Sequence, residues 1–311
     1  TLLMNIAHAI GEDKCTIYSQ DISQKSSSLL RLNLILNNLV HSIQNIIQGN
    51  TISNPYHKDD NGALEKFDFI VSNPPFKLDF SDYRNDLDCK ENKDRFFAGI
   101  PNIPKQAKDK MAIYSLFLQH IIFSLSKKGK AAVVVPTGFI TAQSGIDKAI
   151  REKLVETKML AGVVSMPSNI FATTGTNVSI VFMDKNNKGN VVLIDASNLG
   201  ETVKEGKNQK TVLTPKEEQQ IIDTFNQKKA LEDFSVVVSY DEIKQKNYSL
   251  SAGQYFDVNI KYVDITADEF DAKMKGFEEN LNKLFAESRT LETEIQNNLK
   301  GLGFDKLSPR I

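Results

Sequence analysis

The chain has 311 residues, 41 % of them hydrophobic and 25 % charged, which is the balance of an ordinary soluble globular protein with one large domain or two smaller ones. A formal net charge of -1 excludes global attraction for a polyanion, so any nucleic-acid binding must come from a local patch, another domain or another subunit. Cys15 and Cys89 give neither a disulfide framework nor a metal set and suit a reducing cytoplasm, and no apolar run reaches bilayer length.

From the start of the chain, the spacing of Leu2 or Leu3, Ile6 and Ile10 predicts a helix stopped by Gly11. Cys15 to Tyr18 reads as a short strand ending in Ser19, Gln20 and Asp21. A helix follows from Ser23 to about Leu39, with Leu29, Leu32, Ile35, Leu36 and Leu39 on its expected buried side. Ser42 to Ile47 is a candidate strand before the turn Gly49, Asn50, Thr51. Lys66 to Val71 is a firmer one, closed by Asn73, Pro74, Pro75 and Phe76. Residues 77–110 form a long polar stretch whose one apolar cluster is Phe96, Phe97, Ala98, either a substrate-facing loop or a mobile surface insertion. Regularity returns with a helix over Met111 to Leu125, a strand over Ala131 to Val135, a helix near Ile146 to Glu156, and strands at Met159 to Val164 and Asn177 to Met183. A short peripheral segment, Val191 to Ile194, comes next. This alternation predicts an α/β fold with a parallel sheet covered on both faces, closing near residue 195.

Residues 196–311 change character. Pro215 to Phe225 reads as a helix, Phe234 to Tyr240 as a strand or docked extended segment, and Tyr248 to Val258 as a docking loop. From Phe270 to Leu299 apolar residues recur at 4,3 spacing, through Met274, Phe277, Leu281, Leu284, Leu291 and Ile295 with a break at Ser288. Such spacing specifies a seam against another helix, either in its own domain or in a second chain.

The Lys66 to Phe76 stretch carries the chemistry. Two prolines fix the turn, the Asn73 side-chain oxygen and the Pro74 carbonyl can both accept hydrogen bonds, and Phe76 offers a flat apolar face. Two acceptors held together suit the two protons of an exocyclic amino group, drawing its lone pair out of conjugation. A ring beside them suits an extruded base. No cysteine stands in the turn to attack a ring carbon. Asp21, past a strand end, is placed to bind a ribose, or to cap the next helix, or both. Ile22 offers an adenine contact, and Asn50 an adenine amino-edge contact or a plain turn. Phe139 and Phe171 are candidates for the target-base pocket, Phe171 equally for a core position. His8, His41, His57 and His120 show no metal-ligand spacing.

The stretches LLMNIAHAI, IYSQD, LLRLNLILNNL, FDFIVSNPPF, FLQHIIFSLSKKGKAAVVVPTGFI and MPSNIFATTGTNVSIVFM together resemble the modification (M) subunit of type I restriction-modification systems, in family order over most of residues 1–183. The resemblance implies a Rossmann-like S-adenosylmethionine-dependent adenine-N6 DNA methyltransferase. Asn73, Pro74, Pro75 and Phe76 would be its catalytic turn, and Asp21, Ile22 and Asn50 would contact the cofactor. It also implies double-stranded DNA, a specificity subunit, a restriction subunit and a possible second M subunit as partners, the tail meeting the specificity subunit. Two departures stand out: the family usually has a carboxylate at Asn50, and its glycine-rich cofactor loop, preceding the first helix, is not in these residues. The expectation is therefore a catalytic domain, 1–195, that is N-terminally incomplete with a gap in its sheet, weak cofactor binding by this segment alone, and a C-terminal extension, 196–311. Methylation of the cytosine amino group, a fused restriction-modification enzyme and an inactive scaffold remain as alternatives.

Overall fold

Runs of consecutive apolar residues become interior strands because both of their faces are covered. In this computed structural model, which describes residues 2–171, 176–206, 208–256 and 266–301, β1 (Ser19–Asp21) and β2 (Ile46–Gln48) pair in parallel as a separate two-stranded sheet. Six strands form the main sheet: β3 (Phe67–Ser72), β4 (Leu125–Pro136), β5 (Leu160–Ser165), β6 (Val178–Asp184), β7 (Val191–Asp195) and, beyond the hairpin β8 (Glu201–Glu205) and β9 (Asn208–Val212), β10 (Ser235–Val238). Their order is β10-β7-β5-β6-β4-β3, which leaves β3 at an edge. The helices are α1 (Leu2–Ile10), α2 (Gln24–Leu36), α3 (Arg84–Leu87), α4 (Tyr114–Ser124), α5 (Gly138–Thr141), α6 (Gly145–Glu156), α7 (Pro215–Gln227), α8 (Tyr240–Gln245) and α9 (Ala267–Gly301).

Successive strand residues serve opposite faces. Val163, Val181 and Leu193 join Val133 and Val135 under α4 and α6, while Val164, Phe182, Val192 and Ile194 meet Ile221 and Phe225 of α7. Gly162 permits this second contact, since a Cβ there would lie 2.5 Å from the Val192 carbonyl oxygen and 2.6 Å from the Phe225 ring. The expected parallel sheet is mixed: β3/β4 and β5/β7 are parallel, but β6 runs antiparallel between β4 and β5 and β10 runs antiparallel to β7. Neighbouring strands paired antiparallel, as β5 and β6 are, need no helical crossover.

Several expectations are corrected. The first strand is Ser19–Asp21, not Cys15–Tyr18, and its pairing with β2 sets its position. Leu29, Leu32, Ile35 and Leu36 of α2 are exposed, and the helix buries Leu34 instead. Residues 77–110 enclose their own apolar cluster of Phe80, Leu87 and Phe96 with Ile52, Met111, Ile113 and Leu116. The β7 segment is fully buried rather than peripheral. The chain divides into Thr1–Phe256 and Asp257–Ile311, so the boundary falls after Phe256 and not near 195. The physical reason is that β10 extends the sheet, and Leu250 and Ala252 complete its core. In the second unit α9 stands with Phe270, Met274, Phe277, Leu281, Leu284, Leu291, Ile295 and Leu299 all exposed.

Candidate functional site

β3 delivers the proline-rich turn. Its Ser72 lies opposite Val133 of β4, and the chain leaves the sheet edge at Asn73. Asn73 and Pro75 are exposed, Pro74 is buried and Phe76 is half-buried. Among the described residues no protein group hydrogen-bonds the Asn73 carboxamide, so an exposed donor-acceptor group stands at the end of a strand. Phe76 packs edge-on against Tyr114 at the start of α4, with centroids 6.3 Å apart and planes at 77°.

Asp21 and Asn50 are brought together at the ends of the paired strands β1 and β2, where the Gly49 amide donates to the Asp21 carbonyl at 2.9 Å. One carboxylate oxygen of Asp21 accepts the Ser23 amide at 2.7 Å, and Ser23 in turn caps α2. Ile22 beside it is 69 % exposed. The Asn50 side-chain oxygen already accepts the amides of Ile52 and Ser53, at 2.9 and 3.2 Å. An amino edge of adenine therefore does not find its acceptor there; what the carboxamide has to offer is its NH₂ donor. These residues fit the adenosine half of a nucleoside cofactor, with an exposed carboxylate and an exposed apolar side chain at adjacent strand ends.

Phe139 is placed differently from expectation. It is 0 % exposed, lies edge-on to Tyr114 with centroids 6.4 Å apart, and presents no face to an incoming base. Phe171 is exposed, near the hairpin whose Thr211 amide donates to Asn169 at 3.0 Å; the turn after it lies largely outside the described residues.

Sequence reading did not single out the groups behind this surface. The Tyr114 hydroxyl donates to Asp147 at 2.5 Å, and Arg151, wholly buried, donates to the carbonyls of Phe139, Ala142 and Tyr248. Burial pushes the Asp147 carboxyl up, against the opposing pull of the Tyr114 hydroxyl and the Arg151 charge; burial, then Asp147, pushes the Tyr114 hydroxyl far above its usual range. The one available signal was an arginine set among Ile150, Leu154 and Val155 on a buried helix face. A cavity of about 610 Å³ lies between β1 and β3, bounded by Leu3 and Ile6 of α1, Tyr18, His57, Phe67 and His120. Its lining runs up to Gln20, Thr51 and Ser72, the residues next to Asp21, Asn50 and Asn73, and at its wall the Tyr18 ring meets those of His57 and Phe67 at 5.2 and 5.3 Å. Among the described residues no cluster of His, Cys, Asp and Glu is suited to a metal, and no helix is long and apolar enough to cross a membrane.

A mixed sheet with an exposed Asn-Pro-Pro-Phe turn at the end of one strand agrees with the resemblance drawn from the sequence, and residues 3–262 match the N-6 DNA Methylase family, to which this chain belongs. It is 29 % identical, over 98 % of its length, to 54 % of the type I restriction enzyme MpnII methylase subunit of Mycoplasma pneumoniae. It is also 29 % identical, over 94 % of its length, to 51 % of the MjaIX methylase subunit of Methanocaldococcus jannaschii. The chain thus spans about half the length of these relatives. The fold is similar to that of a type I restriction-modification methyltransferase subunit from Streptococcus thermophilus, with a TM-score of 0.66 and 24 % identity over 82 % of this chain and 52 % of that one.

Proposed function

We propose that this chain is the methyltransferase part of a type I restriction-modification complex, modifying the N6 amino group of adenine in double-stranded DNA with S-adenosylmethionine as donor. The observation that carries the reading is the exposed, unbonded Asn73 carboxamide at the end of β3 beside the braced ring of Phe76. Asn73 and the Pro74 carbonyl accept the two amino protons of an extruded adenine and aim its nitrogen lone pair, Pro75 stiffens the turn, and Phe76 stacks on the base. Orientation is the main contribution, because the methylated nitrogen loses its proton readily without a dedicated base.

Asp21 would hold the ribose hydroxyls of the cofactor, with Ile22 against its adenine and Asn50 donating to a ring nitrogen. The cofactor, when bound, supplies an electrophilic sulfonium methyl. Phe171 is a second candidate face for the base. The apolar stripe of α9 fits a partner helix, and a specificity subunit is the occupant that this reading names, with a restriction subunit and a second M subunit completing the complex.

The test is methyl transfer to plasmid DNA by the full chain co-expressed with its specificity subunit, followed by nucleoside analysis. N6-methyladenine that disappears with Asn73→Ala is the expected product. N4-methylcytosine would move the activity to the cytosine amino group, and intact assembly without any methylated base would leave a scaffold.

A further inference from the structure

Tyr114 is a tyrosine where packing alone calls for a phenylalanine. Its ring is 6 % exposed and pressed edge-on against both Phe76 and Phe139, at interplanar angles of 77° and 88°. Its hydroxyl needs a partner in that setting and takes Asp147, from the first turn of α6, at 2.5 Å. Placing a carboxylate there carries a desolvation cost, and an apolar pair of the same shape would serve stability as well. The hydroxyl-carboxylate bond adds a fixed direction: it anchors the tip of the Tyr114 ring between Phe76 and Phe139. Asp147 is held in turn by the helix of Arg151, which clamps the carbonyls of Phe139 and Ala142 on the far side of the same ring stack.

We infer that Tyr114, oriented by Asp147, is a positioning residue for Phe76, holding that ring in the pose that receives an extrahelical purine. This rests on the base-stacking role given to Phe76 above. Tyr114 touches no substrate and acts only through the ring in front of it.

The experiment uses the assembled complex with two duplexes: an unmodified one for the methylation rate, and one in which 2-aminopurine, which lacks the 6-amino group and reports only on base position, replaces the target adenine, located first by mapping the methylation. Tyr114→Phe keeps the ring and removes the hydroxyl; Asp147→Ala removes the acceptor; Asp147→Asn restores one. The expected result is a single-turnover methylation rate lowered roughly tenfold in Tyr114→Phe and Asp147→Ala, short of the roughly hundredfold that a misplacement of about 1 Å can cost. KM for DNA stays unchanged, 2-aminopurine fluorescence rises because the looser stack quenches less, and Asp147→Asn recovers most of the rate. The double variant is no slower than either single one, as two parts of one device require. A wild-type 2-aminopurine signal and rate that Tyr114→Phe leaves unchanged, with only the melting temperature lowered, overturn the inference alone. A Phe76→Ala complex whose 2-aminopurine fluorescence and methylation rate both equal those of the wild type overturns the stacking role of Phe76 and the inference with it.

Discussion

The Nε of Arg95 donates a 3.0 Å hydrogen bond to Nδ1 of His120, so the imidazole accepts at that nitrogen and can carry a proton only at Nε2. Burial, then the charges of Arg95 and Lys66, hold the His120 pKa down to about 3. Below the ordinary histidine pKa of about 6.5 the unfolded chain binds a proton that the folded chain refuses, so stability is full above that pH and declines as pH falls towards 3. Between pH 6.5 and 5 this one group removes about 2 kcal/mol at most. Urea unfolding at a series of pH values should show that slope, and His120→Gln should flatten it.

Arg95 also donates to the Thr51 carbonyl at 2.9 Å and is only 3 % exposed, tying residues 77–110 to the loop after β2. Arg95→Met should cost about 1 to 3 kcal/mol, since it leaves the half-buried Thr51 carbonyl without its partner. Limited trypsin digestion should then cut first between Lys77 and Lys110. Cleavage elsewhere with that segment intact would show that Arg95 does not anchor it.

Asn73 is exposed and carries no packing load. Asn73→Ala should lower methyl transfer by at least about a hundredfold, the scale of losing one oriented polar group at the reacting centre. Its melting temperature should match the wild type within error. A variant that keeps even a third of the wild-type rate would remove Asn73 from the chemistry.

The α9 stripe makes a separate prediction. Leu281 and Leu284 are both more than half exposed on a helix of 35 residues, and an isolated amphipathic helix gains most of its stability from a partner. Leu281→Glu with Leu284→Glu should abolish association with the specificity subunit, measured by light scattering after gel filtration. The unfolding transition of residues 1–256 should not move.

Strands with strong apolar runs, such as Val133 to Val135, were legible in sequence because burial on both faces leaves one reading. α2 was not, since it is apolar on two sides: periodicity finds Leu29, Leu32 and Leu36, while contact with β1 and β2 selects Leu34. The strand before the Asn-Pro-Pro-Phe turn was legible because an apolar run closed by two prolines marks a strand end. Phe139 was misjudged because position after a strand does not say whether a ring faces outward. The Tyr114, Asp147 and Arg151 set was hard to read because Tyr114 stands on α4 while Asp147 and Arg151 stand on α6, two helices that meet only in the folded chain.

Arg151 draws its third carbonyl from Tyr248, at 2.8 Å, and that partner is synthesised long after the turn it steadies. A nascent chain ending before Tyr248 holds a buried guanidinium with one acceptor missing, and a core that still lacks Leu250 and Ala252. The ring stack behind the Asn-Pro-Pro-Phe turn is therefore expected to settle only after the C-terminal segment has left the ribosome, and ribosome-stalled chains ending at 245 should be digested where those extended to beyond 256 resist. A product terminated before Tyr248 is then expected to stay open to proteases, with its core unfinished.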